Sequence, residues 1–147
     1  MREIYQSAHL VVTLDEEHKI VRRQRTRAGY ESTYEIQVAY QALLDACEHL
    51  HRPEYMLLAD LRLAPPRNDP AFEQVVSRYY DRLYGGFRKI AILVQTEAGR
   101  LQMMRLATPS VAGRMRAFTS ESAALEYLLR PGSGQPPGGR GPAPRSS

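Results

Sequence analysis

Two short apolar runs, separated by a helical pattern, stand out in the distribution of hydrophobic positions along the chain. Residues 55–60 are Tyr-Met-Leu-Leu-Ala-Asp, and residues 89–94 are Lys-Ile-Ala-Ile-Leu-Val. Apolar runs of this length are typical of strands that are buried on both faces, as in parallel sheets covered by crossover helices. The pattern therefore predicts an α/β fold built around central parallel strands.

The N-terminal part of the chain predicts a β-hairpin. Residues 9–14 and 19–26 are rich in β-formers, and the polar residues 15–18 between them suit a turn. The second strand contains Arg22, Arg23, Arg25 and Arg27, which alternation places on both faces. We predict that this strand lies at or near a sheet edge, where charge opposes edge-to-edge association. A docking surface for an acidic partner is the alternative.

Helical periodicity predicts about four helices. Apolar residues recur at three- and four-residue spacing over residues 32–50, and shorter patterns begin near residues 70, 97 and 121. A last strand is predicted over residues 115–118. The residues expected to cap the helices are Ser32 or Thr33, Asp69, Thr96, and Thr119 or Ser120. Gly85 and Gly86 are expected to end the second helix.

Length and composition predict one domain of ordinary size, over residues 1–130. The 147 residues are 43% hydrophobic and 24% charged, as in soluble globular proteins. No apolar run approaches the ~20 residues of a membrane span, and no apolar signal segment follows Arg2 and Glu3, so a cytoplasmic location is expected. Cys47 lies on a helical apolar stripe and is expected to be buried. Residues 131–147 contain no apolar residue larger than Pro, which predicts a disordered tail.

The net charge of +4 and the isoelectric point near 9.4 raise the question of nucleic-acid binding. The chain has only two lysines, and a GC-rich genome also favours arginine over lysine. The basic composition is therefore not by itself evidence of nucleic-acid binding. No aromatic residues are interleaved with the arginines of the hairpin, although sheet-based nucleic-acid readers use such residues for stacking. Nucleic acid is therefore not the favoured partner.

Asp60 is the strongest single candidate for a site, because it follows the central strand. Ligands and regulatory contacts gather at the carboxyl ends of strands in open α/β sheets. The alternative is a structural carboxylate that accepts hydrogen bonds from the following loop. The predicted protein-interaction surface, which includes a tyrosine expected to be partly exposed, comprises Asp60, Arg62, Arg67, Asp69 and Tyr80.

No sequence motif points to catalysis. The chain has no glycine-rich phosphate loop after a strand and no Gly-x-Ser-x-Gly nucleophile motif. Glu16 and Glu17 fall in the predicted turn, and His49 and His51 at a helix end lack accompanying ligands for a metal. We therefore expect neither an enzyme nor a bound metal or cofactor.

The order of predicted elements and three local stretches are similar to the STAS fold of anti-sigma-factor antagonists, also called SpoIIAA-like. The stretches are residues 55–60, residues 88–94, and residues 116–120 (Arg-Ala-Phe-Thr-Ser) with the helix that follows them. The resemblance covers residues 8–129. It implies an α/β fold with a mixed, mostly parallel sheet of about five strands, an N-terminal β-hairpin and about four helices.

The resemblance implies a protein-interaction module of bacterial signalling, and some members of the family bind small ligands or lipids. Phosphorylatable members carry an Asp-Ser pair after the central strand, where the added charge toggles partner choice. Here Asp60 is followed by Leu61, and no Ser or Thr occurs before Ser77. A switch of that kind is not expected in this chain.

We predict a non-catalytic bacterial regulatory module that acts by binding another bacterial protein, with a homodimer as a further state to test. Two alternatives stay open. One is binding of nucleic acid or an anionic surface through the strand that contains Arg22, Arg23, Arg25 and Arg27. The other is binding of a small apolar ligand or a lipid, which rests on the family resemblance alone.

Overall fold

A six-stranded sheet organises the computed structural model, which describes residues 1–131. The strands are β1 (Arg2–Gln6), β2 (Leu10–Asp15), β3 (Ile20–Arg25), β4 (Met56–Asp60), β5 (Ile90–Leu93) and β6 (Met115–Phe118). The helices are α1 (Thr33–Ala46), α2 (Pro70–Tyr84), α3 (Glu97–Leu106), α4 (Pro109–Ala112) and α5 (Glu121–Leu129), with a 3₁₀ turn at Arg52–Glu54. None of the helices in this part of the chain is long and apolar enough to span a membrane. The predicted disordered tail lies outside the described residues, apart from Pro131.

The strands lie in the order in which they occur along the chain. β1, β2 and β3 pair antiparallel, whereas β3, β4, β5 and β6 pair parallel. This topology confirms the predicted mixed α/β sheet with an N-terminal hairpin. The described residues contain six strands and five α-helices, one more of each than predicted. The pattern missed β1 because this edge strand buries none of its side chains fully, and it missed α4 because that helix is a single turn.

The predicted edge position of the arginine-rich strand is wrong. β3 lies inside the sheet, between β2 and β4, because β1 and β2 extend the sheet beyond it. Arg22 is in register with Thr13 and Leu58, and Arg23 is in register with Val12 and Ala59. The two arginines therefore point to opposite faces of a covered sheet, and each face must accommodate a guanidinium.

The two faces of the sheet carry separate cores. Helices α1 to α4 contribute to the larger core, on what we call the helix-rich face, where residues such as Leu43, Val76 and Met103 pack on the strands. The α5 face carries a smaller core in which Ala124 and Leu128 of α5 pack on Leu58, Leu93 and their neighbours. Parallel strands β4 and β5 are thus buried on both sides, as their uninterrupted apolar runs predicted.

The helix boundaries follow the predicted caps. Side-chain oxygens of Ser32, Asp69, Thr96 and Ser120 each accept a hydrogen bond from the backbone N–H three residues later. A cap of this kind contributes ~1 kcal/mol to stability. Gly86, just beyond α2, has a φ of 90°, a backbone conformation that glycine adopts without strain.

Two buried polar side chains outside the candidate site have clear structural roles. Lys89 lies beneath the C-terminus of α5 and donates hydrogen bonds to the carbonyl oxygens of Tyr127, Leu128 and Arg130. Its positive charge suits the negative end of the helix dipole. Cys47 is a buried free cysteine, as predicted, and burial raises the pKa of its thiol.

Candidate functional site

Asp60 belongs to a compact group of four charged side chains on the α5 face. Arg62 binds the Asp60 carboxylate through two hydrogen bonds, from Nε at 3.0 Å and from Nη2 at 2.8 Å, and Arg22 Nη2 binds it at 2.8 Å. The same two arginines reach Glu121 at the start of α5, at 2.8 Å from Arg62 and 3.1 Å from Arg22. We call these four residues the ion cluster.

Arg22 and Arg62 supply the hydrogen-bond donors and the positive charge that the buried Asp60 carboxylate needs. Burial alone would raise the pKa of Asp60, but the side-chain and backbone hydrogen bonds from Arg62, with that from Arg22, lower it below its ordinary value. Hydrogen bonds from Arg22 and Arg62 likewise lower the pKa of Glu121. The cluster joins β3, the end of β4 with the loop after it, and the start of α5. The Asp60 carboxylate accepts hydrogen bonds from that loop, which is the arrangement described by the structural alternative for Asp60.

Arg67 and Asp69 form a second ion pair, at the start of α2. The guanidinium of Arg67 binds the Asp69 carboxylate at 2.9 and 2.7 Å, and Asp69 also caps the helix through the backbone N–H of Phe72. The hydrogen bonds from Arg67 lower the pKa of Asp69 to about 2. Gln102 of α3 donates to the carbonyl oxygen of Arg67 at 2.8 Å, which fixes the loop of residues 61–69 against α3.

The expected partial exposure of Tyr80 is wrong. Its side chain is fully buried, and its ring lies 4.6 Å from that of Tyr84. The buried stripe of α2 includes Tyr80 and Tyr84 beside Val76 and Leu83, so it is wider than a simple reading of three- and four-residue spacing suggests. Tyr80 therefore cannot take part in a surface contact while the domain is folded.

A pocket of about 280 Å³ lies on the helix-rich face, between the sheet and helices α1, α2 and α3. We call it the three-helix pocket. Its apolar lining includes Leu43 of α1, Phe72 and Val76 of α2, and Met103 of α3. Arg25, Leu61 and Val94, at or just beyond the ends of β3, β4 and β5, also line it. The pocket therefore lies at the carboxyl ends of the parallel strands, where open α/β sheets bind ligands.

Two arginines of β3 bring positive charge into the three-helix pocket. Arg23 is 9% exposed and lies with its guanidinium carbon 4.7 Å from the ring centre of Tyr84. Arg25 donates hydrogen bonds to the carbonyl oxygens of His9 and Ala28, at 2.9 and 2.7 Å, and stacks on Tyr30. The lining contains no aspartate or glutamate. The hydroxyl of Tyr30, which also lines the pocket, is buried without a hydrogen-bond partner in the described part of the chain.

The structure divides the arginines that the sequence grouped on one strand. Arg22 belongs to the ion cluster, Arg23 and Arg25 line the three-helix pocket, and Arg27 is exposed. They do not form one continuous basic surface, which removes the main support for the nucleic-acid alternative. Sequence reasoning missed Glu121, because it meets Arg22 and Arg62 only through packing between distant elements. It also missed Tyr30, whose ring contacts Arg25 and His9 from the loop after β3.

Apolar, aromatic, polar uncharged and basic side chains line the three-helix pocket. Its lining has no histidine, cysteine or carboxylate. Nowhere in residues 1–131 do three or more histidine, cysteine, aspartate or glutamate side chains lie close enough to hold a metal ion. The non-catalytic character expected from the sequence stays a prediction.

Comparison with known proteins bears on the fold. No family model matches the sequence, and no curated protein matches it. The chain is similar to the crystal structure of an uncharacterized protein of the DUF3478 family from Shewanella loihica PV-4, which is described as having a SpoIIAA-like fold. The two share 16% identity with a TM-score of 0.56, over 84% of this chain and 98% of that one. This likeness confirms the resemblance drawn from the sequence at the level of architecture: the chain has a SpoIIAA-like fold.

Proposed function

We propose that the protein is a non-catalytic regulatory module that binds a small, mainly apolar ligand in the three-helix pocket. The observation that carries the proposal is the pocket itself, at the carboxyl ends of β3, β4 and β5. A SpoIIAA-like fold fits a regulatory module, and the small-ligand alternative now has a place in which a ligand can lie. The bacterial and cytoplasmic setting stays a prediction.

The size and lining of the pocket define the ligand class. An apolar cavity of ~150 Å³ accepts benzene, so a pocket of about 280 Å³ suits a molecule of roughly a dozen non-hydrogen atoms. Side chains such as Phe72, Val76 and Met103 offer apolar contact. Burial of apolar ligand surface against them contributes roughly 25 cal/mol per Å².

One wall of the pocket is formed by the loop that is also predicted to contact a protein partner. The lining of the pocket includes four residues of the loop of residues 61–69, which are Leu61, Ala64, Pro65 and Arg67. The same loop holds three residues of the predicted protein-interaction surface, namely Arg62, Arg67 and Asp69. A methyl group on Gly29 would lie 3.5 Å from Pro65 Cγ, so the loop that precedes α1 is close to the same wall. A ligand that shifts this wall would change the surface that a protein partner meets.

Titration of uniformly ¹⁵N-labelled protein with octanol, followed by NMR, tests ligand binding. The proposal predicts saturable shifts of backbone amides around Val76 and Met103, and unchanged signals around Ala124 and Leu128 of α5, on the other face of the sheet. The variant Val76→Phe, which places a larger side chain in the pocket, should abolish the shifts. Absence of saturable shifts, or shifts confined to the α5 face, would contradict the proposal.

The predicted protein partner is a second candidate, favoured by the exposed apolar side chain of Leu63 on the loop that forms the pocket wall. Leu63 is 39% exposed and does not line the pocket, whereas Leu129, at the end of α5, is 46% exposed. Affinity capture from a bacterial lysate should recover one defined protein with the wild type and with Leu129→Asp, but not with Leu63→Asp. Equal recovery with both variants would show that the loop is not the contact.

A further inference from the structure

We infer that the ligand of the three-helix pocket carries an anionic head group, of the carboxylate kind, that is received by Arg23. This inference rests on the proposed function and gives the ligand a chemical class: a small amphiphile with an apolar body and one negative charge. The observations are the burial of Arg23, the absence of a protein acceptor for its donors, and the charge of the pocket lining.

Arg23 differs from the other buried charged side chains of residues 1–131, which are Asp60 and Lys89. Asp60 accepts hydrogen bonds from two arginines, and Lys89 donates to backbone carbonyl oxygens. The guanidinium of Arg23 contacts the ring of Tyr84 and has no hydrogen bond or ion pair with any residue in the described part of the chain. A guanidinium has five N–H donors, and a buried charge is normally paired. The missing acceptor is what a bound anion would supply.

The surroundings of Arg23 reinforce its positive charge. Three arginines line the pocket and no carboxylate does, and of these three only Arg67 has an acidic partner, Asp69. Arg25 donates to carbonyl oxygens, which satisfy its hydrogen bonds but leave its charge uncompensated. Arg52 lies nearby, and its pKa is lowered by burial and then by repulsion from Arg23. The electrostatic potential at this end of the pocket therefore favours an anion and repels a cation.

The position of Arg23 suits a carboxylate joined to an apolar body. Its guanidinium carbon lies 4.7 Å from the ring centre of Tyr84. The planar fork of guanidinium donors matches a carboxylate in a bidentate arrangement. The buried hydroxyl of Tyr30 is a further donor without a partner at the pocket wall. The rest of the lining, including Val76 and Met103, contacts the apolar body.

Isothermal titration calorimetry with octanoate, octanol and octylamine separates head-group recognition from occupation of the pocket. The three probes share one chain and differ in charge. We expect octanoate to bind at least about tenfold more tightly than octanol, which is the order of effect of one charge-assisted hydrogen bond, and octylamine to bind most weakly. Equal binding of octanoate and octanol would overturn the inference while leaving the proposed function standing. Failure of all three probes to bind would overturn both.

Two matched variants test whether the preference for octanoate over octanol comes from Arg23. Arg23→Met should bring the affinities for octanoate and octanol to within about twofold of each other, because it removes the charge and keeps an apolar side chain of similar length. Arg82→Met is the control, since Arg82 also stacks on a tyrosine of α2, Tyr79 at 4.4 Å, but is exposed and outside the pocket. This control variant should keep the full preference for octanoate over octanol. A preference that survives Arg23→Met, or the more conservative Arg23→Gln where the first variant does not fold, would overturn the inference.

Discussion

Arg22 and Arg23 are neighbours on β3, yet their side chains lie in opposite kinds of environment. Arg22 points to the α5 face and binds the carboxylates of Asp60 and Glu121. Arg23 points to the helix-rich face, where it contacts a tyrosine ring and no carboxylate. The α5 face uses its charges to hold elements together, whereas the helix-rich face keeps a buried charge whose partner the protein does not provide.

The same difference extends to how the two faces are filled. On the α5 face, Ala124 and Leu128 of one helix close the core over β4 and β5. On the helix-rich face, α1, α2 and α3 leave a pocket of about 280 Å³ beside Arg23. A packed face with compensated charge stabilises the fold, and an open face with uncompensated charge has the properties of a binding site.

The largest expected effect is on the ion cluster. Asp60→Ala leaves Arg22 and Arg62 with only the partly exposed carboxylate of Glu121 between them. We expect a loss of roughly 3 kcal/mol in the free energy of unfolding, since breaking a buried pair costs about 3–5 kcal/mol. Urea unfolding followed by circular dichroism measures the loss. Glu121→Ala is the matched control and should lose less, because the Glu121 carboxylate is partly exposed. Equal losses would contradict a central role for Asp60.

The comparison of the two arginines predicts that the same substitution destabilises the fold at Arg22 and does not destabilise it at Arg23. Arg22→Met should lower the free energy of unfolding by about 2 kcal/mol, because it removes one of the two arginines that satisfy Asp60. Arg23→Met should leave it unchanged or raise it by up to about 1 kcal/mol, because relief of an uncompensated buried charge outweighs the lost contact with Tyr84, worth roughly 0.5–2 kcal/mol. Urea unfolding of the two variants side by side gives both values. A large loss for Arg23→Met would show that Arg23 is structural.

Replacing a valine by phenylalanine should cost more stability in the packed core than at the wall of the three-helix pocket. Val111 of α4 is fully buried in the core without lining the three-helix pocket, so Val111→Phe should cost about 1–3 kcal/mol through overpacking. Val76 lines the pocket, so Val76→Phe has space for the added ring and should cost less than about 1 kcal/mol. Thermal unfolding of the pair checks this difference. Similar losses in both variants would argue against an open pocket.

The smallest effect is a dependence on pH that comes from the ion cluster. The pKa values of Asp60 and Glu121 are lowered in the folded state, so these groups stabilise the fold above their ordinary pKa values. That stabilisation is lost as the pH falls through the lowered values. The free energy of unfolding of the wild type, measured with urea, should therefore fall as the pH drops below the ordinary pKa values of 3.8 and 4.5, and that of Arg22→Met should fall less steeply. Identical pH profiles would contradict the assigned role of Arg22.

The sequence predicted those features that depend on local chemistry. The buried runs of β4 and β5 and the capping residues Asp69 and Ser120 are encoded within a few residues, and the structure has them in place. Strand β6 was predicted over the same residues, Met115–Phe118, that form it. Local patterns were therefore sufficient for the fold class and for most element boundaries.

The features that the sequence did not predict depend on packing between distant segments. Arg22 meets Glu121 across 99 positions of the chain, and β3 is an inner strand because β2 and then β1 extend the sheet beyond it. The burial of Tyr80 and the three-helix pocket likewise depend on how three helices meet over one sheet. No periodicity along a single segment carries that information.

NMR of the arginine side chains tests most directly the claim that Arg22 is structural and Arg23 receives a ligand. The protein would be labelled with ¹⁵N at arginine Nε, its Nε–H signals would be assigned with Arg22→Met and Arg23→Met, and octanoate would be added. We predict that the Arg23 signal shifts saturably while the Arg22 signal stays in place. An unmoved Arg23 signal at saturating octanoate, or a shift of Arg22 in its stead, would contradict the account.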